Sequence, residues 1–100
     1  KTPFTLAEWA AILHVSERTL QRYAKNNGKF ASINAERFFQ VSNLLNRGKK
    51  VFGKTNTFYE WLHSNPPSLE GEISIASLTN YDGIQRILTQ LGRIEHGILA

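Results

Sequence analysis

The sequence predicts an all-α fold, a helix-turn-helix at the front packed on a small helical unit behind. Three observations carry that prediction. Apolar residues recur at intervals of three and four in successive stretches of the 100-residue chain. Helix-starting residues, Thr5, Ser16 and Ser32, stand just ahead of three of those stretches. The single alternating piece, Ile73 to Leu78, is too short to serve as a strand without an obvious partner, and reads better as a helical turn.

The first helix is expected to begin at Leu6. Thr5 followed by Glu8 is a capping box, the hydroxyl taking a backbone donor while the carboxylate reaches back to the cap, and Phe4 and Trp9 occupy the staple positions around it. Leu6, Trp9, Ala10 and Leu13 make one apolar face, which breaks at His14-Val15-Ser16. Ser16 then caps a second helix over Glu17 to Asn26, with Leu20 and Tyr23 turned inward and Asn26-Asn27-Gly28 ending it. A third helix is expected from the cap Ser32 through Phe38, Phe39, Val41, Leu44 and Leu45, stopping near Gly48 or continuing to Phe52. Its apolar surface, widened by Phe39, is too broad for one neighbour, so it should pack on both halves of the chain. A fourth helix is expected around Thr57 to His63, capped by Thr55 or Asn56, followed by the loop Ser64 to Gly71. The last begins after Thr79, with Asp82 placed for a capping box, carries Ile84, Ile87, Leu88, Leu91 and Ile94 on one face, and stops at Gly97.

Charge divides the chain unevenly. Residues 1–50 hold nine Lys and Arg against three Glu, and residues 51–100 hold three against five acidic residues. The front half is therefore the nucleic-acid candidate. Cysteine is absent, which removes disulfides, thiolate metal sites and thiol nucleophiles and fits a reducing compartment, with the cytoplasm as the default. No stretch approaches the roughly 20 apolar residues of a membrane span. The chain opens at Lys1 without a signal-like segment and is expected to be a fragment of a longer one. His14, His63 and His96 lie far apart and outside any metal-binding spacing, and no glycine pattern cradles a phosphate. Glu95 and His96 are adjacent on a helix and point about 100° apart, so they form no catalytic pair. Neither an enzyme nor a cofactor is expected.

Two short helices joined by a three-residue turn, with small Ala10 at the crossing and Val15 plugging the turn, meet the requirements of a helix-turn-helix. The second helix would meet the major groove by its N-terminal end. Arg18, Thr19, Gln21 and Arg22 then reach base edges or phosphates, Ser16 reaches a phosphate oxygen, and Lys25 and Lys29 meet the backbone. The turn position that usually holds glycine is His14, which can adopt a left-handed conformation at some cost.

The run Leu91-Gly92-Arg93-Ile94-Glu95-His96-Gly97, preceded by Val51-Phe52-Gly53, Trp61-Leu62, Asn65-Pro66 and Leu69-Glu70-Gly71, resembles the Xre/MbcA/ParS-like antitoxin family. The resemblance covers nearly the whole chain, and Leu13 to Arg22 look like that family's Xre-type helix-turn-helix. It implies an antitoxin of a type II pair, dimeric or larger, that represses its own operon. Its partner would be a toxin that uses NAD, either a RES-type NAD-degrading enzyme or a ParT-like ADP-ribosyltransferase. On this reading residues 1–50 are the DNA-binding region and residues 51–100 the toxin-binding domain. The sequence departs from the family at Phe58, where a small residue is usual, and at Glu72-Ile73-Ser74-Ile75, where a proline usually precedes the apolar turn.

The closing segment offers a toxin contact. It combines Arg93, Glu95 and His96 with the apolar Ile98, Leu99 and Ala100 beyond a helix stop. Large apolar residues at a chain end gain little in solvent, but each contributes about 1.5 to 3 kcal/mol when buried in a cleft. By the resemblance, that cleft is the toxin's NAD pocket. The alternative is a stand-alone helix-turn-helix transcriptional regulator whose C-terminal half dimerises.

Overall fold

The computed structural model describes residues 2–25 and 32–97, which form five α-helices and one 3-10 turn with no strand among the described residues. Helix α1 (Leu6–Leu13) starts as its cap predicts. The Glu8 amide donates to Thr5 Oγ1 at 3.1 Å, the Thr5 amide donates to Glu8 Oε1 at 2.9 Å, and the Phe4 and Trp9 rings meet edge to face at 5.4 Å. The helix stops at His14, which has φ 61° and ψ 44°, and the Val15 amide closes back on the Ala10 carbonyl at 3.0 Å. That is a Schellman closure with histidine in the glycine position. Ser16 Oγ accepts from the Thr19 amide at 3.1 Å and starts α2 (Glu17–Lys25). In α2 Leu20 is fully buried, whereas Tyr23 is only half-buried, because the helix leans mainly on α1 and covers one face-width of core.

Helix α3 (Ala35–Phe52) is capped by Asn34 rather than Ser32. The Arg37 amide donates to Asn34 Oδ1 at 3.2 Å, so the amide side chain nearer the helix takes the free donor that the exposed serine was expected to satisfy. The helix runs through Gly48 and ends at Gly53, φ 85°, whose amide donates to the Lys49 carbonyl at 2.7 Å. Gly48 has a packing role: a Cβ there would lie 2.3 Å from the ring of Phe58. The large residue at position 58 is thus accommodated by the missing side chain at 48. Phe39 does not join the packed stripe; it is 58% exposed and touches Phe38 edge-on.

Helix α4 (Thr55–His63) begins two residues earlier than expected, and its N-cap is Lys54, which makes no side-chain capping bond. After the Pro66 loop, the helical turn expected over Ile73 to Leu78 is a 3-10 turn at Ile75–Thr79 with Ser74 as its N-cap, the Ser74 amide on Ser77 Oγ at 3.1 Å and the Ser77 amide on the Ser74 carbonyl at 3.0 Å. Helix α5 (Tyr81–Glu95) is capped by Asn80, whose Oδ1 accepts from the Gly83 amide at 2.7 Å. Asp82 is the second helical residue, one short of the capping-box position, so the expected box does not form. A Cβ on Gly83 would lie 2.0 Å from the Ser77 carbonyl oxygen, so this glycine lets α5 approach the 3-10 turn.

Helix α3 is the centre of the fold, packed against α1, α4 and α5, while α1 and α5 also close on the 3-10 turn. One apolar cluster joins residues from both halves, including Ile12, Leu20, Leu44, Phe58, Ile84 and Leu91, and the division between residues 50 and 51 falls in the last turn of α3. On α5, Ile84, Ile87 and Leu91 are buried and Leu88 and Ile94 half-buried. The start of α3 lies beside the end of α1, through Arg37 and the Ile12 carbonyl at 3.3 Å, and its end lies beside the end of α5, through Arg47 and Glu95. The ends of α1 and α5 therefore lie at different points along α3, one beside Arg37 and the other beside Arg47. No described helix is long and apolar enough to cross a membrane.

Candidate functional site

At the α2 end, Ser16, Arg18, Gln21, Arg22 and Lys25 are exposed and Thr19 is half-buried. Among the described residues no carboxylate pairs with Arg18, Arg22 or Lys25. Ser16 and Thr19 are engaged with each other, their hydroxyl oxygens 3.0 Å apart. That contact fixes the first turn of α2, with Arg18 between its two members in sequence. Lys29, Asn26, Asn27 and Gly28 lie outside the described residues.

His14 does more than turn the chain. Its Nε2 lies 2.7 Å from the Thr79 carbonyl, to which it donates, and the Arg37 guanidinium sits 3.4 Å from the same nitrogen while donating to the Ile12 carbonyl. The turn between α1 and α2 is thereby tied to the junction of the 3-10 turn and α5. Sequence reading treated His14 only as a substitute for glycine, and no local signal points to a partner 65 residues away.

At the other end, Arg93 and Glu95 are both engaged inside the protein. Arg93 donates to both carboxylate oxygens of Glu70, with Nη1 to Oε1 at 2.7 Å, and Nη1 also reaches Gln90 Oε1 at 3.3 Å. This fork clamps the loop that the Ser68 hydroxyl and the Gly71 amide already close. The hydrogen bond from Arg93 holds the Glu70 carboxyl below its ordinary range, and Glu70 in turn raises Arg93. Arg47 Nη2 donates to Glu95 Oε1 at 2.7 Å, which lowers the Glu95 carboxyl, with smaller help from His96 and Lys50. His96 is exposed at the end of α5, and Gly97 follows at φ 75° with its amide on the Ile94 carbonyl. Ile98, Leu99 and Ala100 lie outside the described residues.

A third cluster was legible only in part. Glu8, read as a capping residue, also accepts from the Tyr59 hydroxyl at 2.9 Å and lies 3.0 Å from His63 Nε2. Burial first, and then Glu8, push the Tyr59 phenol above its ordinary value. The arrangement joins α1 to α4. Glu8, Tyr59 and His63 line neither of two surface grooves, one of about 260 Å³ beside Arg37 and Tyr81 and one of about 300 Å³ beside Ser42 and Lys49. No three potential metal-ligating side chains converge among the described residues. The DNA-contact candidates therefore gather on one end and the described toxin-contact candidates on the other. Compared with protein-family models and with curated proteins, the chain matches none.

Proposed function

We propose that this chain is the antitoxin of a toxin-antitoxin pair, binding operator DNA through α2 and neutralising an NAD-using toxin through the segment that follows α5. The observation that carries the reading is the surface of α2. A nine-residue helix anchored by one fully buried side chain turns Arg18, Gln21, Arg22 and Lys25 outward without a carboxylate partner among the described residues. A helix so held is suited to lie in a major groove, where bidentate arginine contacts read base edges and lysines neutralise phosphates. The family resemblance of Leu91 to Gly97 supports the second half of the reading.

Arg93 and Glu95 act in this scheme by fixing the end of α5 to Glu70 and Arg47, so that Ile98, Leu99 and Ala100 leave from a rigid base and fill the toxin's NAD pocket. A two-fold operator calls for a dimer, and exposed Phe39 and Tyr81 are apolar surface available to a second copy.

The test uses the promoter duplex upstream of the gene, titrated by fluorescence anisotropy at two salt concentrations. Arg18→Ala with Arg22→Ala should weaken binding by about 1 to 3 kcal/mol per lost base contact, or flatten the salt dependence where the contacts are to phosphate. Toxin inhibition should persist in that variant and be relieved by deleting residues 98–100. Unchanged operator affinity and salt slope in the double variant would remove α2 from the reading. Inhibition that survives the deletion would move neutralisation to the helical surface.

A further inference from the structure

We propose that the outer face of α3 is a homodimer interface, on which a second copy of this chain packs antiparallel about a two-fold axis at Asn43, each Phe39 entering a groove of the other copy. The proposal stands on the surface of α3 alone and is independent of what the dimer binds.

The exposed residues Glu36, Phe39, Asn43, Asn46 and Lys50 follow one another at steps of three and four along α3. Such steps put them in one stripe, with the seam spacing of paired helices, on the side turned away from buried Val41, Leu44 and Gly48. A helix face that meets only water is ordinarily charged along its length. Residues 38–46 contain no charged side chain, in a chain where 20% of residues are charged. Phe39, which stands among them, is the most exposed aromatic residue of those described. Charge removed from around an aromatic anchor is the composition of an interface core.

The charges at the two ends of the stripe select the partner and its direction. The stripe begins at Glu36 and ends at Lys50, which stand equally far from Asn43 on either side. A parallel copy would set Glu36 against Glu36 and Lys50 against Lys50. An antiparallel copy centred on Asn43 sets each Glu36 against the other copy's Lys50 and opposes the two helix dipoles. The same register brings each Phe39 to the height of the other copy's Asn46. Beside Asn46 opens a groove of about 300 Å³, lined also by Leu45, Ser42, Lys49, Thr2 and Thr55. That is roomier than the roughly 150 Å³ cavity that accepts a benzene ring. The two Asn43 amides meet at the axis, where hydrogen bonds between them fix the register.

The chain contains no cysteine, so single-cysteine variants report the geometry of the pair directly. Asn43→Cys should be cross-linked into dimers by a short bis-maleimide. Glu36→Cys should not, because its copies lie about 21 Å apart along the antiparallel helices. In sedimentation equilibrium the wild-type chain should be dimeric, and Phe39→Ser should weaken self-association about a hundredfold. Glu36→Lys should weaken it about tenfold, and adding Lys50→Glu to that variant should restore it. Both Phe39 and Glu36 are exposed, so the helical circular dichroism of each variant should match wild type. A wild-type chain that is still monomeric at about 100 µM would overturn the interface. A dimer that is indifferent to Phe39→Ser would place the contact elsewhere and overturn it too. Glu36→Cys cross-linked as readily as Asn43→Cys, or a double charge reversal that fails to restore the dimer, would overturn the antiparallel register.

Discussion

The two ends of this molecule carry charge in opposite ways. On α2 one side chain of nine, Leu20, is fully buried, and the cations around it have no carboxylate partner among the described residues. On α5, by contrast, Ile84, Ile87 and Leu91 are all buried, and the charged residues Arg93 and Glu95 at its end are tied to Glu70 and Arg47. A charge that the fold does not use is available to a ligand, and one that the fold uses is available only after its internal partner lets go. Partner contact at the α5 end therefore falls, on our proposed function, to the segment beyond Gly97.

The comparison breaks most sharply at Leu20. Leu20→Ala removes the one fully buried side chain of α2 and should cost about 2 to 5 kcal/mol. Much of that loss should be local: hydrogen exchange in α2 should rise by more than in α5, and, on our proposed function, operator binding should fall while inhibition of the toxin is kept. Uniform exchange across both ends would show that they unfold as one unit. Gly48→Ala drives a methyl group into the buried Phe58 ring at the junction of α3 and α4 and should cost about 1 to 3 kcal/mol in urea denaturation. Here the loss should be global, because α3 is packed by three other helices. An unchanged urea midpoint would show that Phe58 moves aside freely.

The smallest effect is expected at Glu70, whose ion pair is partly open to solvent. Its carboxyl is lowered in the folded protein, so its contribution is fully present above the unfolded value of about 4.3 and disappears as pH falls through the folded one. Between about pH 5 and 3 the wild-type urea midpoint should fall more steeply than that of Glu70→Gln. Parallel profiles would mean that the Arg93 clamp does not act in solution.

How far the sequence could be read depended on the range of each interaction. The Thr5 and Glu8 box, the Phe4 and Trp9 staple, the Ser16 cap and the turn at His14 all join residues within five positions and stand as the pattern predicts. The caps of α3 and α5 shifted to Asn34 and Asn80 because neighbouring polar residues compete for the same free amides, and α4 began at Thr55 with no side-chain cap at all. Of the candidate contacts, the outward face of α2 was legible because helical period alone sorts Leu20 from Arg18 and Arg22. The engagement of Arg93 and Glu95 was not.

By itself, then, the sequence determined an all-helical pattern, the start and stop of its first helix, the start of its second, and a cationic helix with one inward residue, since each follows from side chains a turn or so apart. Only the tertiary structure decided that His14 binds Thr79, that Glu8 gathers Tyr59 and His63, that Arg93 clamps Glu70, and that Gly48 and Gly83 are glycines because Phe58 and Ser77 press on them. The hydrogen-bonded partners are between 23 and 65 residues apart. They are brought together by the burial of the shared core, which no local pattern encodes.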